Sequence, residues 1–322
     1  MAARDFVIGT FNVENLDDAK PEEWKKRLEV LRPTLARMAA DIILLQEVNS
    51  LGALDDLLRG TPYAKYDSVH TKTAKGKPYP KRNLVILSRE RIVEHSQYMH
   101  DYAKAPVWRY VTSEPAEDQP KEVQWERPIL HVKVDVGRDR MLHVINLHLK
   151  SMNPSAIEGQ SDPKKYWLWR SHAGWAEGFY LSDVKRVGQA LEARILVDKI
   201  FEADGEDALI AVGGDFNAEI GSVPFKALVG SVEDTQNPDL RSTVLIPCEL
   251  SVPPDKRFSL IHHGRGNMLD HVAVSQALYP DWIGTDIFNE TLHDESLPFS
   301  DELKFPESDH APVVVRFRLS DL

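Results

Sequence analysis

Short apolar runs, each closed by polar residues, recur along the chain. They are Phe6–Val13, Asp41–Val48, Asn83–Ser88, Ile129–Val136, Met141–Leu149, Ala208–Asp215, Leu269–Ser275 and Pro312–Leu319. Their length and their Val, Ile and Leu content predict strands. Several are apolar on consecutive positions, as at Ile42-Ile43-Leu44-Leu45. That pattern suits strands with another layer packed on each face. Two stretches repeat at helical spacing. Trp24, Leu28, Leu31, Leu35 and Met38 form the first, with Asp17 or Asp18 and Pro21 as start signals. Val184, Val187, Leu191 and Ile195 form the second, with Ser182 as its expected N-cap and Lys185 where a capping box would have Glu.

Length and charge limit what these elements build. At roughly 150 residues per domain, 322 residues suggest about two domains. No composition shift reads as a linker, however, and the motifs below run from Asn12 to His310. They need one catalytic domain over residues 1–322, with the surplus in insertions at about 153–180 and 281–307. The net charge is −11. A large basic surface for long duplex DNA is therefore not expected, although a local patch is compatible with it. The single cysteine, Cys248, excludes an internal disulfide and a Cys-rich zinc site. No apolar run approaches the ~20 residues of a membrane span, and no apolar signal core precedes Phe6. The expectation is a cytoplasmic protein that does not insert into membranes.

The chemistry sits where the strands end. Phe11-Asn12-Val13-Glu14-Asn15 closes the first and Gln46-Glu47-Val48 the second. Asn146-Leu147-His148-Leu149-Lys150-Ser151 closes the fifth and Gly213-Gly214-Asp215-Phe216-Asn217-Ala218 the sixth. Leu269-Asp270-His271 and Ser308-Asp309-His310 stand at strand starts. Carboxylates gathered at one rim of a buried sheet need a cation or basic partners, because burial without them costs several kcal/mol each. Oxygen ligands without cysteine favour Mg²⁺ or Mn²⁺. Residues two apart in an extended chain share a face, so Asp215 with Asn217, and Asn146 with His148, point into one pocket. Phe216 then points into packing and His271 away from the site, as a structural residue. Gly213 and Gly214 admit close backbone approach.

These ordered blocks resemble the endonuclease/exonuclease/phosphatase superfamily, of deoxyribonuclease-I-like fold, over nearly the whole chain. The wording Gly-Asp-Phe-Asn-Ala and His-Leu-Lys-Ser is most similar to bacterial nuclease-type members. The resemblance implies an α/β fold: a two-layer β-sandwich flanked by helices in a four-layer architecture. The site would lie at one end, where loops of both sheets meet. It implies Glu47 as the main metal carboxylate, helped by Asn12 and Asp309. His310 is similar to the catalytic histidine, Asp270 to its orienting acid, Asp215 to the acid that positions or deprotonates water, and Asn217 and His148 to phosphoryl-oxygen donors. Lys150, Arg127, Arg82 and Asn83 are weaker substrate-binding candidates; Arg186, where relatives often carry arginine, and Arg127 also suit structural ion pairs.

The implied reaction is metal-assisted in-line attack of water on a phosphodiester. Fixed donors and a Mg²⁺ ion stabilise charge on the non-bridging oxygens. An Asp270–His310 pair would fix the tautomer of His310 and raise its pKa. Asp215 is the favoured base, with His310 as the alternative. A nucleic-acid substrate, short or single-stranded, is suggested by two further features. His70–Arg82 carries Lys72, Lys75, Lys77, Lys81 and Arg82 without an acid, and Trp167, Trp169 and Trp175 lie beside Lys164, Lys165 and Arg170. A solvated basic loop and core-capping tryptophans are the structural alternatives. The second enzymatic reading is a phosphatase or phosphodiesterase of a small nucleotide or phospholipid head group. A non-catalytic phosphate- or nucleic-acid-binding module on the same scaffold is a third, disfavoured because Glu47, Asp215, Asp270 and Asp309 are all kept.

Overall fold

The structure, a computed structural model, describes residues 4–137, 140–162, 164–165, 167–298 and 305–319. The part of the predicted 281–307 insertion at 299–304 lies outside the described residues. In chain order the elements are β1 (Arg4–Leu16), α1 (Pro21–Met38), β2 (Ile42–Val48), α2 (Leu51–Leu58), β3 (Asp67–His70), β4 (Asn83–Ser88) and β5 (Ile92–Tyr98). There follow β6 (Val107–Trp108), β7 (Lys121–Glu122), β8 (Ile129–Asp135), β9 (Met141–His148), α3 (His172–Asp204), β10 (Leu209–Asp215), α4 (Val223–Val229) and α5 (Val232–Thr235). The chain ends with β11 (Ile246–Pro247), β12 (Leu260–His262), β13 (Arg265–Asn267), β14 (Asp270–Val274), β15 (Trp282–Ile287) and β16 (Val313–Leu319).

Two six-stranded sheets form the centre, in the orders β15-β16-β1-β2-β4-β3 and β11-β14-β10-β9-β8-β5. Strand parity assigns their faces. Phe6, Ile8, Ile42 and Leu44 of the first sheet meet Val132, Val144, Ala211 and Val272 of the second in one buried cluster. The alternate residues Val7, Phe11, Ile43 and Leu45 pack outward on α1 and α2. Ile145, Leu147, Ile210 and Val212 pack outward on α3 and α4. The layers are helix, sheet, sheet, helix, which explains why Ile42–Leu45 is apolar at every position.

Several helix and loop expectations are corrected. Helix α3 begins at His172 and is capped by Ser171, whose hydroxyl accepts from Gly174 N–H. Ser182 lies inside it, donating to the Asn153 carbonyl at 2.8 Å. The expected stripe is misphased: Leu191 is exposed, while Ala190, Ala193, Leu196, Val197 and Ile200 face the core. The true face also carries Arg186, Gln189 and Glu192, whose polar groups bond to loops and disguise the apolar period. Helix α1 starts at Pro21 with Lys20 as N-cap, not Asp17 or Asp18. The insertion at 281–307 is not all loop, since it contains β15, which extends the first sheet beside β16.

Toward one end the inner faces of the sandwich change from apolar to polar. Asn146 Nδ2 reaches across to the carbonyls of Leu45 and Val85, both at 3.0 Å, and Gln46 Nε2 donates to Asn146 Oδ1 at 2.7 Å. This amide layer ties the sheets together and forms a floor. An unpaired member would cost roughly 1–3 kcal/mol.

Candidate active site

Above that floor, the same inner-face parity delivers Asn12 from β1, His148 from β9, Asp215 from β10 and Asp270 from β14. A cavity of about 400 Å³ opens there, lined among others by Asn12, Glu47, His148, Asp215, Asp309 and His310. Residues nearly three hundred positions apart in sequence thus share one wall.

Backbone irregularity completes the set. By parity Glu47 would follow Ile43 and Leu45 outward. Instead φ at Glu47 is 60°, and the β1–β2 and β2–β4 registers both shift around it. The kink turns the carboxylate inward, where Oε2 accepts from Asn15 N–H at 3.0 Å. Glu14, Asn15, Arg82 and Asn217 are also left-handed, so strained backbone concentrates at this rim. Gly214 has φ 139°, and a Cβ there would lie 2.0 Å from the Leu147 carbonyl oxygen. Only glycine lets β10 press against β9 just before Asp215.

Asp215 is held by several donors. Asn12 Nδ2 and Asn217 Nδ2 each donate to Oδ2 at 3.0 Å, and Asn217 N–H donates to Oδ1 at 2.9 Å. Burial is the main influence on its pKa, which rises to about 7, with His310 pulling it down and Asp270 adding to the rise. His310 Nδ1 lies 2.6 Å from Asp270 Oδ2, and its Nε2 3.9 Å from Asp215 Oδ2. Burial alone would lower the imidazole pKa. Asp270 and Asp215 outweigh it and hold His310 well above the usual histidine value, so the ring is an imidazolium at neutral pH. Asp270 stands behind it, fully buried.

His148 is the opposite case. Burial, then the Arg127 charge, push its pKa well below the usual value. Arg127 Nη1 lies 3.0 Å from both ring nitrogens, and a guanidinium can only donate, so the ring is neutral. His148 Nε2 sits 3.3 Å from Asp215 Oδ2, which makes that nitrogen the N–H side. Two histidines on one cavity are therefore set to different protonation states by their neighbours.

The carboxylates fit a divalent cation. Burial raises the pKa of Asp309; His310 opposes the rise, and Glu47 adds to it. Glu14, unremarked as a candidate by sequence, accepts Asp309 N–H at 3.2 Å. Its pKa reaches about 8 through burial and repulsion from Asp309. Asp309 Oδ1 and Asp270 Oδ1 are buried with no hydrogen-bond partner among the described residues. Asp215, Asp270 and His310 each bring a ligand atom within 4.8 Å of one another. The His310 Nδ1–Asp270 contact already uses two of those groups, leaving Glu47 and Asp309 as the better oxygen donors.

The weaker candidates separate. Arg82 and Arg127 line the cavity, with Arg82 Nε 4.0 Å from Glu47 Oε1. Lys150 and Asn83 do not. The Lys150 amine donates to Ser151 Oγ and the Asn153 carbonyl, and the Asn83 amide donates to the carbonyls of Val48 and Tyr79. Both stabilise the loops that carry the rim. Arg186 likewise donates to the carbonyls of Lys150 and Ser151. His271 is structural as parity implied, bonded to Glu249 at 2.6 Å and the Ala218 carbonyl at 2.8 Å. The cavity also uses Met152, Phe179, His262 and Glu295, which no motif flagged. Glu14 had a signal, since it stands two residues after Asn12.

A model of the Endonuclease/Exonuclease/phosphatase family matches residues 9–310. No curated protein sequence matches this chain. Among solved structures it is similar to a truncated TDP2 of Caenorhabditis elegans, with 17 % identity, a TM-score of 0.56 and coverage of 98 % of both chains. It is also similar to the mannosyl-6-phosphatase of Bacteroides thetaiotaomicron, at 18 % identity and TM-score 0.55, covering 96 % of this chain and 98 % of that one. A 3′ phosphatase from Neisseria, bound to a product DNA hairpin, gives 17 % identity and TM-score 0.52, covering 97 % of this chain and 99 % of the other. At these identities the structural likenesses speak for the fold.

Proposed function

The chain belongs to the Endonuclease/Exonuclease/phosphatase family, and from that premise we propose that it is a divalent-metal-dependent phosphodiesterase acting on nucleic acid, DNA or RNA. The family's name covers enzymes that hydrolyse phosphoric esters. The observation that carries the reading is one cavity holding a carboxylate-paired imidazolium, a neutral imidazole, a tethered carboxylate and unpaired carboxylate oxygens. A binding module has no need of such differentiated protonation states.

Glu47 and Asp309, with Asn12 beside them, would hold Mg²⁺ or Mn²⁺; the ion supplies charge stabilisation for the phosphoryl oxygens. Asp215 takes the proton of the attacking water as its oxygen bonds to phosphorus in line with the departing ester oxygen. The leaving alkoxide is protonated from solvent. His310, oriented by Asp270, faces the growing negative charge on a non-bridging oxygen. His148 Nε2–H and the Asn217 amide, which rest against Asp215 Oδ2 before substrate enters, turn to the others as the phosphate fills the cavity. Arg82 and the exposed Lys72–Arg82 loop add positive charge where a phosphate backbone would continue.

A substrate panel tests this reading: plasmid, single-stranded DNA, RNA, abasic duplex, sphingomyelin and inositol phosphates, with Mg²⁺ or with EDTA. Asp215→Asn is the inactive control. Metal-dependent cleavage of a nucleic acid is expected. Cleavage of small phosphates alone would overturn the nucleic-acid assignment, and no hydrolysis at all would favour a binding module.

A further inference from the structure

The first turns of α3 carry Trp175 and Phe179, four residues apart and so on one face. Their rings meet edge to face at 4.6 Å. Phe179, with Met152, is part of the active-site cavity wall. Trp175 belongs to a second depression of about 460 Å³, shared with Trp167, Leu168 and His172. The ring contact joins the two, so an apolar track leads from the reacting groups onto the surface. Trp167 is 58 % exposed, Trp175 45 % and Met152 42 %, whereas Trp24 and Trp125 are buried. Trp169 does cap a small core, with Ile157 and Leu181. Its two neighbours in the cluster face solvent instead.

The track is built rather than loose. The loop before α3 seats on the helix where Gly178 leaves room: a Cβ there would lie 2.6 Å from the Ser155 carbonyl oxygen and 2.9 Å from the Trp169 ring. Ser155 N–H donates to the Gly178 carbonyl at 2.9 Å, and Ser171 Oγ donates to Gln160 Oε1 at 2.6 Å. A fixed platform loses little freedom when a ligand lands on it. Lys164 and Lys165 are exposed beside it, supplying the charge a phosphate backbone would meet.

We propose that this Phe179–Trp175–Trp167 face is a base-stacking extension of the active site, which makes single-stranded nucleic acid the substrate class. The inference rests on the nuclease reading above. Bases in a duplex are stacked on each other and cannot lie on an aromatic surface; an unpaired base next to the scissile phosphate can. Stacking accepts every base, so the face selects strandedness and not sequence. A chain of net charge −11 suits short contacts of this kind better than an extended duplex track.

The test compares kcat/KM on a labelled single-stranded decanucleotide, its duplex form and bis(p-nitrophenyl) phosphate. In Trp175→Ala the single-strand-to-ester ratio should fall about 5- to 100-fold, mainly through KM, and Trp175→Tyr should recover most of it. An equal loss on both substrates would make Trp175 structural and overturn the proposal. So would a wild-type enzyme that prefers the duplex. An unchanged ratio in a wild-type background that cleaves single strands sinks the stacking face and leaves the nuclease reading standing. A wild type that cleaves the ester but neither oligonucleotide sinks both.

Discussion

The Asp270–His310 pair gives the sharpest handle on the site. Asp270 is fully buried, its Oδ2 is 2.6 Å from His310 Nδ1, and its Oδ1 has no partner among the described residues. Asp270→Asn keeps shape and hydrogen-bonding reach but removes the charge. Removing one member of a buried ion pair costs roughly 3–5 kcal/mol. Here that cost falls on the state in which His310 must be an imidazolium against phosphoryl charge. At about 1.4 kcal/mol per decade, kcat should drop between 10²- and nearly 10⁴-fold. Folding stability should change far less. His310 can shed its proton in the resting enzyme, and the substitution removes one of several carboxylates crowded around it. Two measurements check this: single-turnover cleavage of a labelled oligonucleotide with Mg²⁺, and NMR titration of the His310 ring beside a thermal melt. The ring should titrate well below its wild-type value. A fall in kcat under tenfold in a folded protein, or an unmoved His310 titration, would refute the charge-pair argument. A collapse in Tm would refute the stability part.

Two further outcomes follow from the charges. Chelation should abolish hydrolysis, and Mg²⁺ should raise the Tm of the wild type but not of Glu47→Ala; at one hundred times Kd that stabilisation is about 2.7 kcal/mol, and a wild-type Tm indifferent to Mg²⁺ and Mn²⁺ would contradict the cation site. Away from the site, His131 Nε2 lies 3.0 Å from His143 Nδ1; burial, then the His143 charge, hold His131 down to about 3, and burial lowers His143 too. Both folded values lie below the unfolded value of about 6.5. The neutral rings therefore support the fold above pH 6.5, and that support is lost as the unfolded chain takes up protons between about pH 6.5 and 3. Urea melts across that window should show stability declining with acid, by at most about 1.4 kcal/mol per pH unit for each proton. His131→Phe, which preserves a ring against Tyr98, should flatten the decline; an unchanged slope would reject the assignment.

The sequence by itself determined the layers and most of the chemistry. Strands apolar at every position need packing on both faces, which is why Ile42–Leu45 announced a layer on each side of its sheet; that the layers are a second sheet and helices came from the family resemblance. The period of two also carried Asn12, His148, Asp215 and Asp270 to one face, because the inner side of each strand continues into the site without a break. Other features needed tertiary structure. Glu47 has the wrong parity for the cavity and reaches it only through a left-handed backbone and a register shift, neither visible in residue types. The face of α3 was hidden because Arg186, Gln189 and Glu192 are buried there, with hydrogen bonds from distant loops satisfying them. Lys150 and Asn83 resemble substrate contacts in sequence, yet loop carbonyls claim their donors first. The two histidines look alike in a string of letters. Burial beside Arg127 leaves His148 neutral, and burial beside Asp270 and Asp215 leaves His310 charged. Proximity across the chain decides that, since electrostatic energy depends on distance in space and on the water excluded from between the charges.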